Sequence, residues 1–265
     1  MEPSEKRDAI IKKICDFYEH VAGISGIYLS GSMALCETDD VSDIDLRLVI
    51  GDEMDKSAVL SVLTENKIEE SDKILFVSTV NENYAVIHYE NFIKLDCFVY
   101  HVSEIIPSNW LKEIKILKDK NDFLRNIKEK SCQLSYVVTQ KTFDFYLVKF
   151  YSNVQEVYRR RKRGEFHYAL ECELWVKNAN VAFWMMAKGR QPNSLGDWSK
   201  YEGRRSKLNL DQINQLKMSQ NSYDFETFQS QWCDPLLSVL TEIASRYKLE
   251  FDEKIFKKVM KCDRD

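Results

Sequence analysis

The chain has 265 residues, 44% hydrophobic and 30% charged, which is enough apolar material for one large core or two modest ones and suggests two domains. A formal net charge of -4 and a sequence pI of about 5.7 exclude a global positive field that would draw the protein to nucleic acid or to an anionic membrane. The residues after Met1 carry no apolar h-region and no uninterrupted apolar run approaches bilayer length, so a cytoplasmic protein with no membrane partner is expected.

Seven cysteines (15, 36, 97, 132, 172, 233 and 262) form an odd set without a C-x-x-C pair, which argues for reduced, mostly packed thiols rather than disulfides or a structural metal. Eight glycines and four prolines are too few for a many-stranded sandwich and leave room for long helices. In chain order, Ile10, Ile11, Ile14, Phe17, Tyr18 and Val21 recur at helical spacing, so residues 6–22 are predicted as an amphipathic helix covering a sheet. Residues 24–30 and 44–50 read as strands joined by a Gly-Ser turn and a short helical segment. After a polar helical stretch at 56–66, residues 74–80, 84–89 and 92–100 are rich in β-branched and aromatic residues, and the breaks at 81–83 and 90–91 suit hairpins. From Pro107 onward the period is helical and stays largely so, with helices predicted at 142–162, 166–188 and 235–248 and stops at Gly164 and Gly189. The reading is an α+β chain: a mixed sheet flanked by helices over 1–120, then a helical bundle over 121–265.

Chemistry concentrates in the segment from Tyr28 to Ile50. Side chains alternate along a strand, so Asp43 and Asp45 face the same way with Cα atoms roughly 6 to 7 Å apart. Two carboxylates aimed together repel, and a cation between them relieves that; oxygen-only ligation suits Mg²⁺. Asp96, inside another predicted strand, must face solvent or the same metal, since burying its charge alone would be costly. Gly31 and Ser32 end the first strand, where glycine lets the backbone approach a phosphate and a hydroxyl and N–H groups can donate to it. Alone, a Gly-Ser pair is ordinarily a turn and a D-x-D ordinarily a solvated strand edge.

Together, Gly31-Ser32, ten intervening residues, the Asp43-Ile-Asp45 strand and the later Asp96 resemble the signature of the DNA polymerase β-like nucleotidyltransferase superfamily. The resemblance implies a nucleotidyltransferase fold in the N-terminal half and a two-metal transfer of a nucleoside monophosphate from a nucleoside triphosphate such as ATP. It implies that Asp43 and Asp45 hold the Mg²⁺ carrying the triphosphate, that Asp96 joins them around a second Mg²⁺ at an acceptor hydroxyl, and that Ser32 and the Gly31 backbone hold the β/γ-phosphates. The segment from Arg159 to Trp175, followed by Gly189-Arg-Gln-Pro-Asn193 and by residues 199–208, is similar to the helical domain of bacterial aminoglycoside adenylyltransferases of the streptomycin group. A departure is Phe143-Asp-Phe-Tyr-Leu-Val148, which replaces the tryptophan-rich run of that group and implies a different substrate pocket.

Elsewhere the bland readings prevail. Residues 159–163 are read first as a solvated helix end complementing the macrodipole, with contact to a triphosphate as the alternative. Glu171 and Glu173 are candidate general bases, each otherwise an ordinary exposed helix glutamate. Trp175, Phe183, Trp184, Met185 and Met186 read as core; His88, His101 and His167 lack metal-ligand spacing; Asp197, Trp198 and Tyr201 sit where they could line an acceptor pocket. The function expected is transfer of AMP from ATP to a hydroxyl of a small molecule, an aminoglycoside-type antibiotic being the candidate acceptor. Transfer to a protein or RNA hydroxyl, and an inactive nucleotide-binding module, are the alternatives.

Overall fold

The computed structural model describes residues 2–68, 72–218 and 224–261. It forms two compact units, Met1–Leu134 and Ser135–Asp265.

The first unit is built on six strands: β1 (Ile24–Leu29), β2 (Ile44–Ile50), β3 (Ile74–Val80), β4 (Tyr84–Tyr89), β5 (Lys94–His101) and β6 (Lys115–Asp119). They lie in the order β3-β4-β5-β2-β1-β6, with β2 parallel to β5 and every other neighbouring pair antiparallel. The helices of this unit are α1 (Pro3–Glu19), α2 (Gly31–Ala34), α3 (Lys56–Thr64) and α4 (Phe123–Cys132).

The alternation of apolar residues decides which face is covered. Ile27, Leu29, Leu46, Leu48, Leu95, Cys97 and Val99 form one core with Ile10, Ile14 and Tyr18 of α1 and Val59, Leu60 and Leu63 of α3. The Tyr18 hydroxyl donates to Val59 O at 2.7 Å, joining the two helices that cover this face. On the opposite face Tyr28 and Val49 meet Leu111, Ile114 and Leu124, so α4 covers only part of it. That face also carries Asp45 and Arg47 on β2, Lys94, Asp96 and Phe98 on β5, and Tyr84, Val86 and His88 on β4.

β6 corrects the expectation of helix from Pro107 onward. Lys-Ile-Leu-Lys-Asp has too many charges to alternate cleanly, but pairing with β1 along Gly26 to Leu29 supplies the ladder that makes it a strand. Leu124 packs where Gly26 has no side chain, so α4 stays with the sheet and the first unit continues beyond residue 120.

The second unit contains α5 (Gln140–Lys162), α6 (Phe166–Ala187), α7 (Leu210–Met218), α8 (Phe225–Trp232), α9 (Leu236–Tyr247) and α10 (Glu253–Met260). Phe143, Leu147, Phe150, Val154 and Val157 recur three and four apart on α5 and are buried in one cluster with α6 residues such as Val176, Ala179 and Phe183. Gly164, at φ +73°, makes the left-handed turn between these two long helices. Trp232, Leu236, Leu240 and Ile243 close the bundle core.

Among the described residues no helix is long and apolar enough to cross a membrane. Of the described cysteines, Cys97, Cys172 and Cys233 are buried, whereas Cys36 and Cys132 are exposed rather than packed. Cys262 lies outside the described residues.

Candidate functional site

β1 ends at Leu29, and the chain turns through Ser30 into α2. The Ser30 amide donates to Asp45 O at 3.0 Å, which ties the turn to β2. Gly31 sits at φ +64°, and a Cβ placed there would collide with Asp45 Oδ2. Glycine is therefore required twice, once by the left-handed backbone and once by the close approach of a carboxylate. Ser32 is only 4% exposed, which leaves the half-buried Gly31 as the accessible part of the turn.

The loop leading into β2 is held from beneath. Arg7 of α1, itself buried, donates from Nη1 to Ser42 O at 3.3 Å and Asp40 O at 3.4 Å. Ser42 Oγ donates to Asp39 Oδ1 at 2.7 Å and accepts from the Asp39 amide at 2.9 Å. Asp43 follows this fastened loop and immediately precedes β2, so it flanks the strand rather than lying inside it.

Parallel pairing of β2 with β5 sets Asp45 directly opposite Asp96. Two cations enter the same corner. Lys94 Nζ contacts Asp43 Oδ2 at 2.8 Å and Asp96 Oδ2 at 3.1 Å, bridging a carboxylate of its own strand and one from the loop ahead of β2. Arg47 Nη2 lies 3.4 Å from Asp45 Oδ1, while Nη1 donates to Leu46 O at 2.9 Å and Asp96 O at 3.2 Å. The Arg47 guanidinium lies 4.4 Å from the Phe98 ring centroid, and Tyr84, on the strand at the other side, stacks on Phe98 at 4.0 Å.

Three carboxylates with two cations leave the corner acidic. Burial raises the pKa of Asp45 above the ordinary carboxylate value, and the charges of Asp43 and Asp96 add to this against the pull of Arg47. For Lys94, burial alone would lower the pKa, but hydrogen bonds and charge from Asp43 and then Asp96 outweigh it and hold the ammonium above the usual lysine range. Asp96 Oδ1 is buried and has no hydrogen-bond partner. Such an orphaned oxygen beside two further carboxylates suits a hard cation that binds through oxygen. Among the described residues no group of three His, Cys, Asp or Glu side chains stands arranged to hold a metal ion. The ammonium of Lys94 occupies the place where Asp43 and Asp96 meet.

Of the residues singled out from sequence, Gly31, Asp43, Asp45 and Asp96 are brought to this corner, with Ser32 buried next in the chain. Lys94 and Arg47 were not foreseen. The signal was their position: each stands two residues from an aspartate on the same strand, hence on the same face.

In the second unit Glu173 is not an exposed helix glutamate. It is 3% exposed and accepts from Arg161 Nε at 3.0 Å and from Arg161 Nη2. Its carboxylate is committed to that pair, whereas Glu171 is exposed. Part of the basic run is paired locally: Arg159 and Arg160 pair with Glu156, and Arg160 also with Glu165. Tyr201 is buried in the bundle, its hydroxyl accepting from the Asn193 amide at 2.7 Å, so it pins a loop. His88 Nε2 lies 3.2 Å from Ser78 Oγ and His101 Nε2 lies 3.0 Å from Met54 O.

No protein-family profile matches the sequence. No curated protein matches it. Solved structures do. The chain is similar to a nucleotidyltransferase-like protein from Exiguobacterium sibiricum at 14% identity and a TM-score of 0.42, over 90% of this chain and 75% of that one. It is similar to an aminoglycoside 6-adenyltransferase from Bacillus subtilis at 14% identity and a TM-score of 0.35, over 96% and 97% of the two chains. A third similarity is to a chain of the GLD-2/RNP-8 complex, at 15% identity and a TM-score of 0.31, over 96% of this chain and 88% of that one.

Proposed function

We propose that the protein is a metal-dependent nucleotidyltransferase that moves a nucleoside monophosphate, AMP from ATP, onto a hydroxyl of a small molecule and releases pyrophosphate. The observation that carries this reading is the gathering of Asp43, Asp45 and Asp96 at one corner of the sheet, beside a glycine turn shaped around the Asp45 carboxylate. Asp43 and Asp45 would hold the Mg²⁺ that carries the triphosphate, and Asp96 would join them around a second. When bound, the two ions neutralise phosphate charge and acidify the acceptor hydroxyl.

The remaining work falls to side chains and backbone of this chain. The Gly31 backbone, half-buried on a left-handed turn, would approach the leaving phosphates. Arg47, fastened by two carbonyls and by Phe98, is a fixed cation facing the charge that develops on the transferring phosphoryl oxygens. The acidic surroundings favour a cationic acceptor such as an aminoglycoside-type antibiotic. The second reading, a nucleotide-binding module without chemistry, draws on the ammonium of Lys94 between two of the aspartates.

The test is pyrophosphate release from each of several nucleoside triphosphates across a panel of aminoglycosides, lincosamides, proteins and short RNAs. Mg²⁺-dependent release from ATP with a small-molecule hydroxyl is the expected outcome. Release with RNA or protein alone would overturn the acceptor, and release with nothing in the panel would favour the inactive module.

A further inference from the structure

Arg47 and Lys94 neutralise the same cluster but are held very differently. Arg47 is fastened by two backbone carbonyls and an aromatic face, so its charge is fixed. Among the described residues Lys94 is fastened only by the carboxylates of Asp43 and Asp96, its side chain is 36% exposed, and its four-carbon stem can swing. A divalent cation drawn to Asp43 and Asp96 must take the space the ammonium fills, and the two cations repel at that range.

We infer that Lys94 is a built-in counter-ion that holds Asp43 and Asp96 together in the nucleotide-free protein and makes divalent-cation binding depend on nucleotide. This rests on reading the three aspartates as a metal and nucleotide site. Without nucleotide the ammonium competes with the metal, and affinity is low. With nucleotide, the phosphate oxygens offer the ammonium another partner, so Lys94 can leave the carboxylates without losing its counter-charge. By linkage the metal must then tighten nucleotide binding by the same factor. A neutral side chain at position 94 removes the competitor, so the metal binds without waiting for nucleotide.

The experiment measures Mn²⁺ binding by electron paramagnetic resonance, with and without the α,β-methylene analogue of ATP, in wild type, Lys94→Met and Lys94→Arg. Wild type is expected to bind Mn²⁺ weakly alone and more tightly with the analogue, by a factor in the roughly 5–150-fold range usual for coupled sites. Lys94→Met should bind Mn²⁺ alone about tenfold more tightly than wild type and lose most of the coupling, while Lys94→Arg keeps it. Thermal melts give a second readout that does not require nucleotide: Mn²⁺ should raise the midpoint of Lys94→Met more than that of wild type, because the unshielded carboxylates repel until the ion arrives. Equal Mn²⁺ affinity and equal thermal shifts in wild type and Lys94→Met, with Mn²⁺–analogue binding intact, overturn this inference alone. Absence of Mn²⁺ binding in every protein, with or without analogue, overturns it together with the proposed function.

Discussion

Replacing Glu173 by leucine is expected to destabilise the helical unit by about 3–5 kcal/mol, because removing one partner of a buried ion pair strips the other of its counter-charge. Glu173 and Arg161 have side chains only 3% and 10% exposed, and the guanidinium also lies 5.6 Å from the Phe228 ring centroid in the bundle core. The double replacement Arg161→Met with Glu173→Leu should recover most of the loss, since two apolar side chains of similar volume tolerate the site better than a buried guanidinium that has lost its hydrogen-bonded carboxylate. Denaturant unfolding of the helical unit followed by circular dichroism measures both. A loss under about 1 kcal/mol in the single variant would put the pair at the value of a surface ion pair and contradict this reading.

Asp45→Asn should have opposite effects on stability and on activity. The folded chain holds the Asp45 proton more tightly than the unfolded chain does, chiefly because burial raises its pKa. Between the ordinary carboxylate value and the raised one, stability therefore falls as pH rises, and above both the ionised carboxylate remains a cost to the fold. Asparagine removes that cost, so the variant should melt a few degrees higher than wild type at neutral pH in metal-free buffer. The difference should vanish as pH falls below the ordinary carboxylate range, where Asp45 is protonated in both states. Nucleotidyl transfer should fall by a factor on the order of 10²–10³ or more, the loss typical when one preorganised charge at a reaction centre is removed. Thermal melts across pH, alongside the transfer assay, separate the two effects.

Most of the first unit's sheet was legible because its strands announce themselves locally. Ile44 to Ile50 alternates apolar and charged residues, and one face of it is wholly buried. β6 was not legible, because three of its five residues are charged and only its pairing with β1 makes it a strand. The candidate site shows the same division. A period of two brought Asp43 and Asp45 together in the sequence reading, although Asp43 precedes the strand, but setting Asp45 opposite Asp96 takes a parallel register between segments far apart in sequence, which no local pattern encodes. Lys94 carried no role in the sequence reading for the same reason: its bridge joins β5 to the loop ahead of β2, which no local pattern encodes. Glu173 was misjudged as exposed because its partner, Arg161, lies on the preceding helix beyond the Gly164 turn. Within the basic run, only the fold distinguishes this arginine from its neighbours.

The central claim is that Asp43, Asp45 and Asp96 form a metal and nucleotide site, and retention of labelled ATP by the purified protein in the presence and absence of Mg²⁺ tests it most directly. Mg²⁺-dependent retention by wild type, lost in the folded Asp45→Asn variant, is the expected result. No retention by wild type in Mg²⁺, or equal retention by Asp45→Asn, would contradict it.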